Sequence, residues 1–335
     1  MRRNVLLCLS AFIVFYSCRK VGSAKISSAE VNAGVIEFTD TVKIPLTDFK
    51  KRTYFGFTGG LYPGGVNKPT GQYATNLMKF VSAVYPRNAR GEIDSVAGQI
   101  CFISIGGSTG GHMMDSLKQK TFRDANTNPY LKLINCNNGA STSSLNSISN
   151  PNDPYWDHVK RVLFGAHAYN NQVEVIYLET EDSTSVQSFP DRPYIFRDNL
   201  EAVMRTCKLK FKYLKLMYVL GRTTTFNVHA IQNEEPAPYY NGWGAKFAIE
   251  DQINGKPGTE YTGRNAVAPL LTWGWYQWAD GSNIPRKDGF TWLESETEDG
   301  LHATPAGEDT LATRFQNFLL TDHYASVWYV NHASK

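Results

Sequence analysis

The sequence predicts a three-layer α/β/α protein with a central, mostly parallel sheet of about five strands, and three observations carry that reading. β-rich apolar runs recur at Ile100–Ile105, Tyr130–Cys136, Val173–Leu178, Leu214–Leu220 and Leu270–Tyr276. Segments with apolar residues at helical spacing stand before, between and after them. Several runs end in glycine-bearing or polar turns. Strands buried on both faces read as continuous hydrophobic runs rather than alternating ones. Their alternation with helices implies a parallel sheet covered on both sides. Right-handed crossovers then gather the turns that follow the strands along one edge, where ligands bind.

In chain order, Val35–Phe38 reads as an edge strand and Tyr54–Phe57 as another short strand. Gly59-Gly60-Leu61-Tyr62-Pro63-Gly64-Gly65 is a glycine-dense turn, either a tight connection or a binding loop built on its bulky centre. Tyr73–Val84 is a helix with Leu77, Phe80, Val81 and Val84 on one side. Gln99–Ile105 is the strongest strand and runs straight into Gly106-Gly107-Ser108-Thr109-Gly110-Gly111. The strand at Tyr130–Cys136 ends in the turn Asn137–Ser141, which contains Gly139. After a loop at Asn150–Pro154, Tyr155–Gly165 is a helix with Trp156, Val159, Val162 and Leu163 inward. Helices at Asp198–Lys208 and Trp243–Ile253 flank the fourth strand, and Gly307–Leu320 closes the chain with Leu311, Phe315, Phe318 and Leu319 facing the core.

A chain of 335 residues with 42% hydrophobic content fits one large α/β domain with a full core. The formal charge of +3, without a run of Lys or Arg, gives no reason to expect nucleic acid. Met1-Arg2-Arg3-Asn4 is a basic start, and the apolar stretch Val5–Tyr16 is too short to span a bilayer comfortably, so it reads as an export signal. Ser17-Cys18 ends it like a bacterial lipobox, which makes residues 1–18 a signal peptide and Cys18 the lipidated new N-terminus. Ordinary secretion, with cleavage after Gly22-Ser23-Ala24, is the alternative; either reading exports the protein, and a membrane would be met only through the lipid. Residues 19–50 are polar and read as a tether, leaving 51–335 as the folded domain. Cys101, Cys136 and Cys207 are odd in number, so they imply buried thiols rather than a disulfide framework.

The chemistry concentrates in two segments. Ser108 lies in Gly106-Gly107-Ser108-Thr109-Gly110, a G-x-S-x-G pattern at a strand end, where an exposed hydroxyl has backbone N–H groups around it. Asp299-Gly300-Leu301-His302 puts a carboxylate three residues before a histidine, a spacing that can hold the imidazole in one tautomer. The glycine-rich turn is not followed by the lysine of a phosphate-cradling loop. His112, His158, His167, His229, His323 and His332 show no paired metal-ligand spacing, so neither metal nor cofactor is expected.

Asp-x-x-His immediately before the terminal helix, with a Gly-x-Ser turn after an early strand, resembles the SGNH (GDSL-like) hydrolase family. The resemblance covers about Tyr54 to the end and implies a flavodoxin-like α/β/α sheet. It makes Ser108 the nucleophile, His302 the base and Asp299 its orienter. It also makes the backbone N–H groups of Ser108 and Gly139 donors of an oxyanion hole. The family's third block, Gly-x-Asn-Asp, is replaced here by Leu178-Glu179-Thr180-Glu181-Asp182. Thr180 is then the only neutral side-chain donor at that place, and loss of one oxyanion donor costs roughly 3–4 kcal/mol of barrier. Gly60–Gly65 and the aromatic run Trp273–Trp278 are also similar to exported SGNH-like proteins of no assigned activity.

The implied function is an exported serine esterase of the cell envelope that removes an acyl group from a carbohydrate or other small ester. Arg222, Tyr240 and Trp243 are the expected substrate contacts, since aromatic rings can stack on sugars and Arg222 follows the fourth strand. Core packing explains at least half of the Trp273–Trp278 run, and Arg222 can equally pair with Glu234 or Glu235. The alternative function, favoured by the missing Asn, is a non-catalytic glycan-binding or surface-assembly protein on the same fold.

Overall fold

The computed structural model describes residues 37–38 and 43–332. The five apolar runs form the strands β1 (Ile100–Gly106), β2 (Leu131–Asn135), β3 (Val173–Glu179), β4 (Leu216–Val219) and β5 (Leu270–Trp273). They lie side by side in the order β2-β1-β3-β4-β5, and every neighbouring pair is parallel. All residues of β1 and β3 are buried, as strands sandwiched between helical layers require. The order reverses between β1 and β3, so the connections leave those two strands in opposite directions and a crevice opens at their carboxyl ends.

The longer helices are α1 (Gly71–Val81), α2 (Ser108–Arg123), α3 (Tyr155–Gly165), α4 (Asp191–Lys210), α5 (Ala237–Ile253) and α6 (Pro305–Thr321). α2 packs against α6, and α4 against α5, giving the two outer layers. Cys101, Cys136 and Cys207 are free and buried. Among the described residues no helix is long and apolar enough to cross a membrane.

α2 is an element that periodicity does not announce. Its first turn contains two adjacent glycines, the poorest helix formers after proline. Packing explains them: a Cβ on Gly110 would stand 2.9 Å from Glu179 Cβ, and one on Gly111 3.0 Å from Asn137 Cβ. The helix therefore approaches the strand ends more closely than any side chain permits. α4 and α5 begin earlier than hydrophobic spacing indicates, at Asp191 and Ala237, because Pro193 and Pro238 occupy first-turn positions where an N–H would be unpaired anyway.

At the N-terminal side, Glu37–Phe38 pairs in parallel with Thr53–Tyr54, which pairs antiparallel with Phe57–Thr58, in a small sheet separate from the main one. Leu46 and Phe49 are fully buried, so the folded unit begins before residue 51 and takes in the end of the expected tether. The signal peptide read at 1–18, with Cys18, lies outside the described residues. The Gly59–Gly65 turn is a tight connection that seals the β5 edge: Leu61 and Tyr62 are buried, Trp273 Nε1 donates to Leu61 O at 2.8 Å, and the Tyr62 and Thr272 hydroxyls share a hydrogen bond at 2.9 Å.

Gly106 is tightly constrained at the head of the crevice. Its φ is +122°, and a Cβ there would lie 2.0 Å from Glu179 O. Gly106→Ala is expected to lose about 2–5 kcal/mol of unfolding free energy in urea, from backbone strain and overpacking together. Gly139→Ala, at φ −60° with open space around its Cα, is expected to change it by less than about 0.5 kcal/mol.

Candidate active site

β1 delivers Ser108 to the crevice. At the strand's end Gly106 turns the chain, Gly107 N–H donates to Glu179 O at 2.9 Å, and Ser108 opens α2. Asn137, in the turn after β2, clamps the same place: its Nδ2 donates to Gly107 O at 2.7 Å, while Asn138 N–H donates to Gly106 O at 3.0 Å. The Ser108 side chain is thus held between two strand ends and stays half-buried at a helix N-terminus, where backbone N–H groups lack intrahelical acceptors.

His302 arrives from the other end of the chain. Asp299 Oδ1 accepts the backbone N–H groups of Leu301 at 3.0 Å and His302 at 2.7 Å, folding the segment into a tight turn. Gly300, at φ +81°, lets that turn press on the loop after β4: Phe226 N–H donates to Gly300 O at 2.7 Å, and a Cβ on Gly300 would lie 1.6 Å from Phe226 O. Thr304 caps α6 by accepting Gly307 N–H, and this fixes where the helix starts behind His302.

These two supports bring the expected residues together. Ser108 Oγ lies 2.8 Å from His302 Nε2 across a sequence separation of 194, and His302 Nδ1 lies 2.7 Å from Asp299 Oδ2. A carboxylate facing Nδ1 places the ring proton there, which leaves Nε2 to accept the serine hydroxyl. Burial pushes the Asp299 carboxyl up, but the imidazole and the two backbone N–H groups outweigh it and hold it at about 2. The side chain of Asp299 is 54% exposed and that of His302 30%, so the dyad faces solvent from the crevice rim.

The backbone N–H groups of Ser108 and Gly139 have no hydrogen-bond acceptor among the described residues. Gly139 follows Asn138, whose own N–H donates to Gly106 O in the turn that precedes Ser108, and it is exposed. Thr180 is different. Its hydroxyl donates to Ser143 O at 2.9 Å and the residue is buried, so its one proton is not free for an oxyanion. The segment that carries it is instead a buried polar layer. Glu179 accepts the Thr109 and Tyr177 hydroxyls, Glu181 Oε2 meets Arg222 Nη1 at 2.9 Å, and Asp182 faces Arg192 at 3.5 Å. Burial pushes the Glu179 carboxyl up, against the pull of Thr109, Tyr177 and Arg222.

The three expected substrate contacts are interior residues. Arg222 is buried between Glu181 and Asn233, whose Oδ1 accepts its Nη1 at 2.9 Å, and it pairs with neither Glu234 nor Glu235. Tyr240 and Trp243 are buried on α5, which is covered on nearly every side. Trp243 packs on Tyr54 at 5.7 Å and Phe49 at 5.6 Å, and Tyr240 on Phe189 at 5.5 Å. Aromatics that ignore a helical stripe mark a helix buried all round, not a cleft. In the Trp273–Trp278 run, Trp273, Tyr276 and Trp278 are core, and Trp275 is half-buried.

Besides Asn137 and Phe226, one neighbour of the site gives no sequence signal. His112 lies one turn along α2 from Ser108, with its ring 5.8 Å from that of His302 and its Nδ1 3.1 Å from Glu308 Oε1 on α6. A lone histidine with a carboxylate partner nearly two hundred positions away cannot be told from a surface residue. Among the described residues no group of three or more His, Cys, Asp or Glu is placed to share a metal ion. In comparisons with known proteins, no family model matches this chain, and no curated protein matches it.

Proposed function

We propose that this chain is a serine esterase of SGNH type, carried out of the cytoplasm by the leader read at residues 1–18. The observation that carries the proposal is the unbroken hydrogen-bond line from Ser108 Oγ through His302 to Asp299. In the reaction, Oγ attacks the ester carbonyl as its proton passes to His302 Nε2. Asp299, ionised at neutral pH, stabilises the imidazolium through Nδ1–H. The oxyanion takes the N–H groups of Ser108 and Gly139. Collapse expels the alkoxide, which receives the proton from His302, and leaves an acyl-serine. Water, deprotonated by His302, then repeats the two steps and releases the acid.

One observation favours the non-catalytic, glycan-binding reading: Thr180 is committed to Ser143 O, so two backbone donors stand where such a site usually has three. Glycan binding that persists in Ser108→Ala, with no esterase activity in the parent, would select that reading.

Ser108→Ala is expected to abolish turnover of a short-chain aryl acetate above background while leaving the unfolding transition in place; unchanged turnover removes Ser108 from the mechanism. Asp299→Asn is expected to lower kcat by about 10²–10⁴, because the imidazole loses its fixed tautomer. The same variant has a pH signature. A carboxyl depressed to about 2 in the folded state stabilises the fold above its unfolded value of about 3.9 and loses that contribution as pH falls through the folded value. The stability difference between parent and Asp299→Asn, measured by urea unfolding from pH 6 down to pH 3, should therefore shrink below about pH 4. A difference that stays constant or grows on acidification would contradict the assigned role.

A further inference from the structure

The carboxyl of Glu179, the last residue of β3, lies beneath the nucleophile turn without an ionic partner. The residue is buried. Its backbone O accepts Gly107 N–H at 2.9 Å, and its Cβ closes on the bare Cα of Gly110. Its side chain reaches a hydroxyl on either side. Oε1 stands 2.5 Å from Thr109 Oγ1 in the first turn of α2, and Oε2 meets the Tyr177 hydroxyl of β3. Thr109 follows Ser108 directly, so Glu179 grips the turn through main chain and side chain at once. The acyl-transfer steps do not use this carboxyl.

The charged groups around it do not balance a carboxylate. Arg222, on the loop after β4, is engaged by Glu181 Oε2 and Asn233 Oδ1, each 2.9 Å from its Nη1. Glu181, two residues along the chain, adds a second negative charge. α2 offers only the Thr109 hydroxyl and the bare Gly110, and β3 only the Tyr177 hydroxyl. Among the described residues no Lys, Arg or His stands within ion-pair distance of Glu179. A buried carboxylate without a cation is costly, and such a group takes up a proton instead. Burial pushes the Glu179 carboxyl up accordingly. The neutral acid suits both neighbours, because it accepts from one hydroxyl and donates to the oxygen of the other.

We propose that Glu179 is a positioning residue that works as the neutral acid: it holds the Ser108 turn on the end of β3, and its ionisation disables the site. A negative charge beneath the turn opposes the oxyanion that the backbone N–H groups of Ser108 and Gly139 collect, and it does so from a buried position where water screens little. Ionisation also draws both hydroxyls toward the carboxylate and ends the one-donor, one-acceptor fit. The inference rests on the esterase reading for its chemistry, but the protonation of Glu179 can be tested apart from turnover.

The test measures kcat/KM for an aryl acetate from pH 5 to pH 9, above spontaneous hydrolysis, in the parent, Glu179→Gln and Thr109→Val. The glutamine amide presents a donor and an acceptor as the neutral acid does, but it cannot ionise. The ratio of Glu179→Gln to parent is expected to rise at least tenfold across that range. Thr109→Val removes a hydroxyl that favours the carboxylate, so its alkaline fall is expected at higher pH than the parent's. This second variant reports even where Glu179→Gln disturbs folding. A ratio that is flat or declines with pH, or an alkaline fall that Thr109→Val leaves in place, overturns the proposal and leaves the esterase standing. If the parent cleaves no aryl ester, urea unfolding of the parent and Glu179→Gln at pH 5 and pH 9 decides. A carboxyl raised in the folded state stabilises the fold while protonated, and that contribution is lost as pH rises from the ordinary glutamate value of about 4.3 through the folded value. Parent stability that falls relative to the variant between the two pH values upholds the neutral acid without the esterase. A difference that is constant, or that moves in the parent's favour, overturns it.

Discussion

The structure depends on the contact between the Gly106–Gly107 turn and the last residue of β3. Glu179 O accepts Gly107 N–H, and there is no volume for a side chain on Gly106. That contact sets the direction in which the chain leaves β1 and therefore where α2 begins. It places Ser108 at the first position of a helix rather than inside a loop. The bare Cα atoms of Gly110 and Gly111 then bring the helix down on Glu179 and Asn137, so Ser108 is supported from beneath by the ends of two strands. The second half of the site uses the same device: Gly300 lies against Phe226 O with no room for a Cβ. Two glycine contacts, one on each side of the crevice, align side chains that are far apart in sequence.

Beneath them lies a layer of buried charge. Glu181 with Arg222, and Asp182 with Arg192, are removed from water at the end of β3, where desolvation of each ion costs several kcal/mol unless its partners are well placed. Asn233 Oδ1 accepts from Arg222, and the carbonyl groups of Thr184 and Gln232 accept from the outer nitrogens of Arg192, while Arg192 Nε has only the 3.5 Å ion pair with Asp182. Such a layer adds little to stability compared with an apolar core, but it resists repacking because a shifted partner leaves a bare charge. Thr180 is tied into it through Ser143 O, which also anchors the one-turn helix after Gly139.

The parallel sheet was legible because its strands are uniformly apolar, and the Ser108–His302–Asp299 set because its members stand in short local patterns next to a strand end and a helix start. The limits of the reading have the same physical origin. α2 hides behind adjacent glycines whose function is tertiary. The N-terminal boundary hides because Leu46 and Phe49 are isolated apolar residues that find their partners, such as Trp243, far along the chain. Arg222, Tyr240 and Trp243 have the chemistry of ligand contacts and the burial of structural residues, and composition cannot distinguish the two. Asn137 acts by donating its side-chain amide to a backbone carbonyl, and Phe226 through its own backbone, and neither partner is legible from residue type.

Reaction with a fluorophosphonate, followed by mapping of the modified peptide, tests the pairing of Ser108 with His302 most directly. A single adduct on Ser108 in the parent, absent from His302→Ala, is the expected result. Failure of the parent to react, or an adduct on another serine with Ser108 unmodified, would contradict the assignment of this crevice as an esterase site.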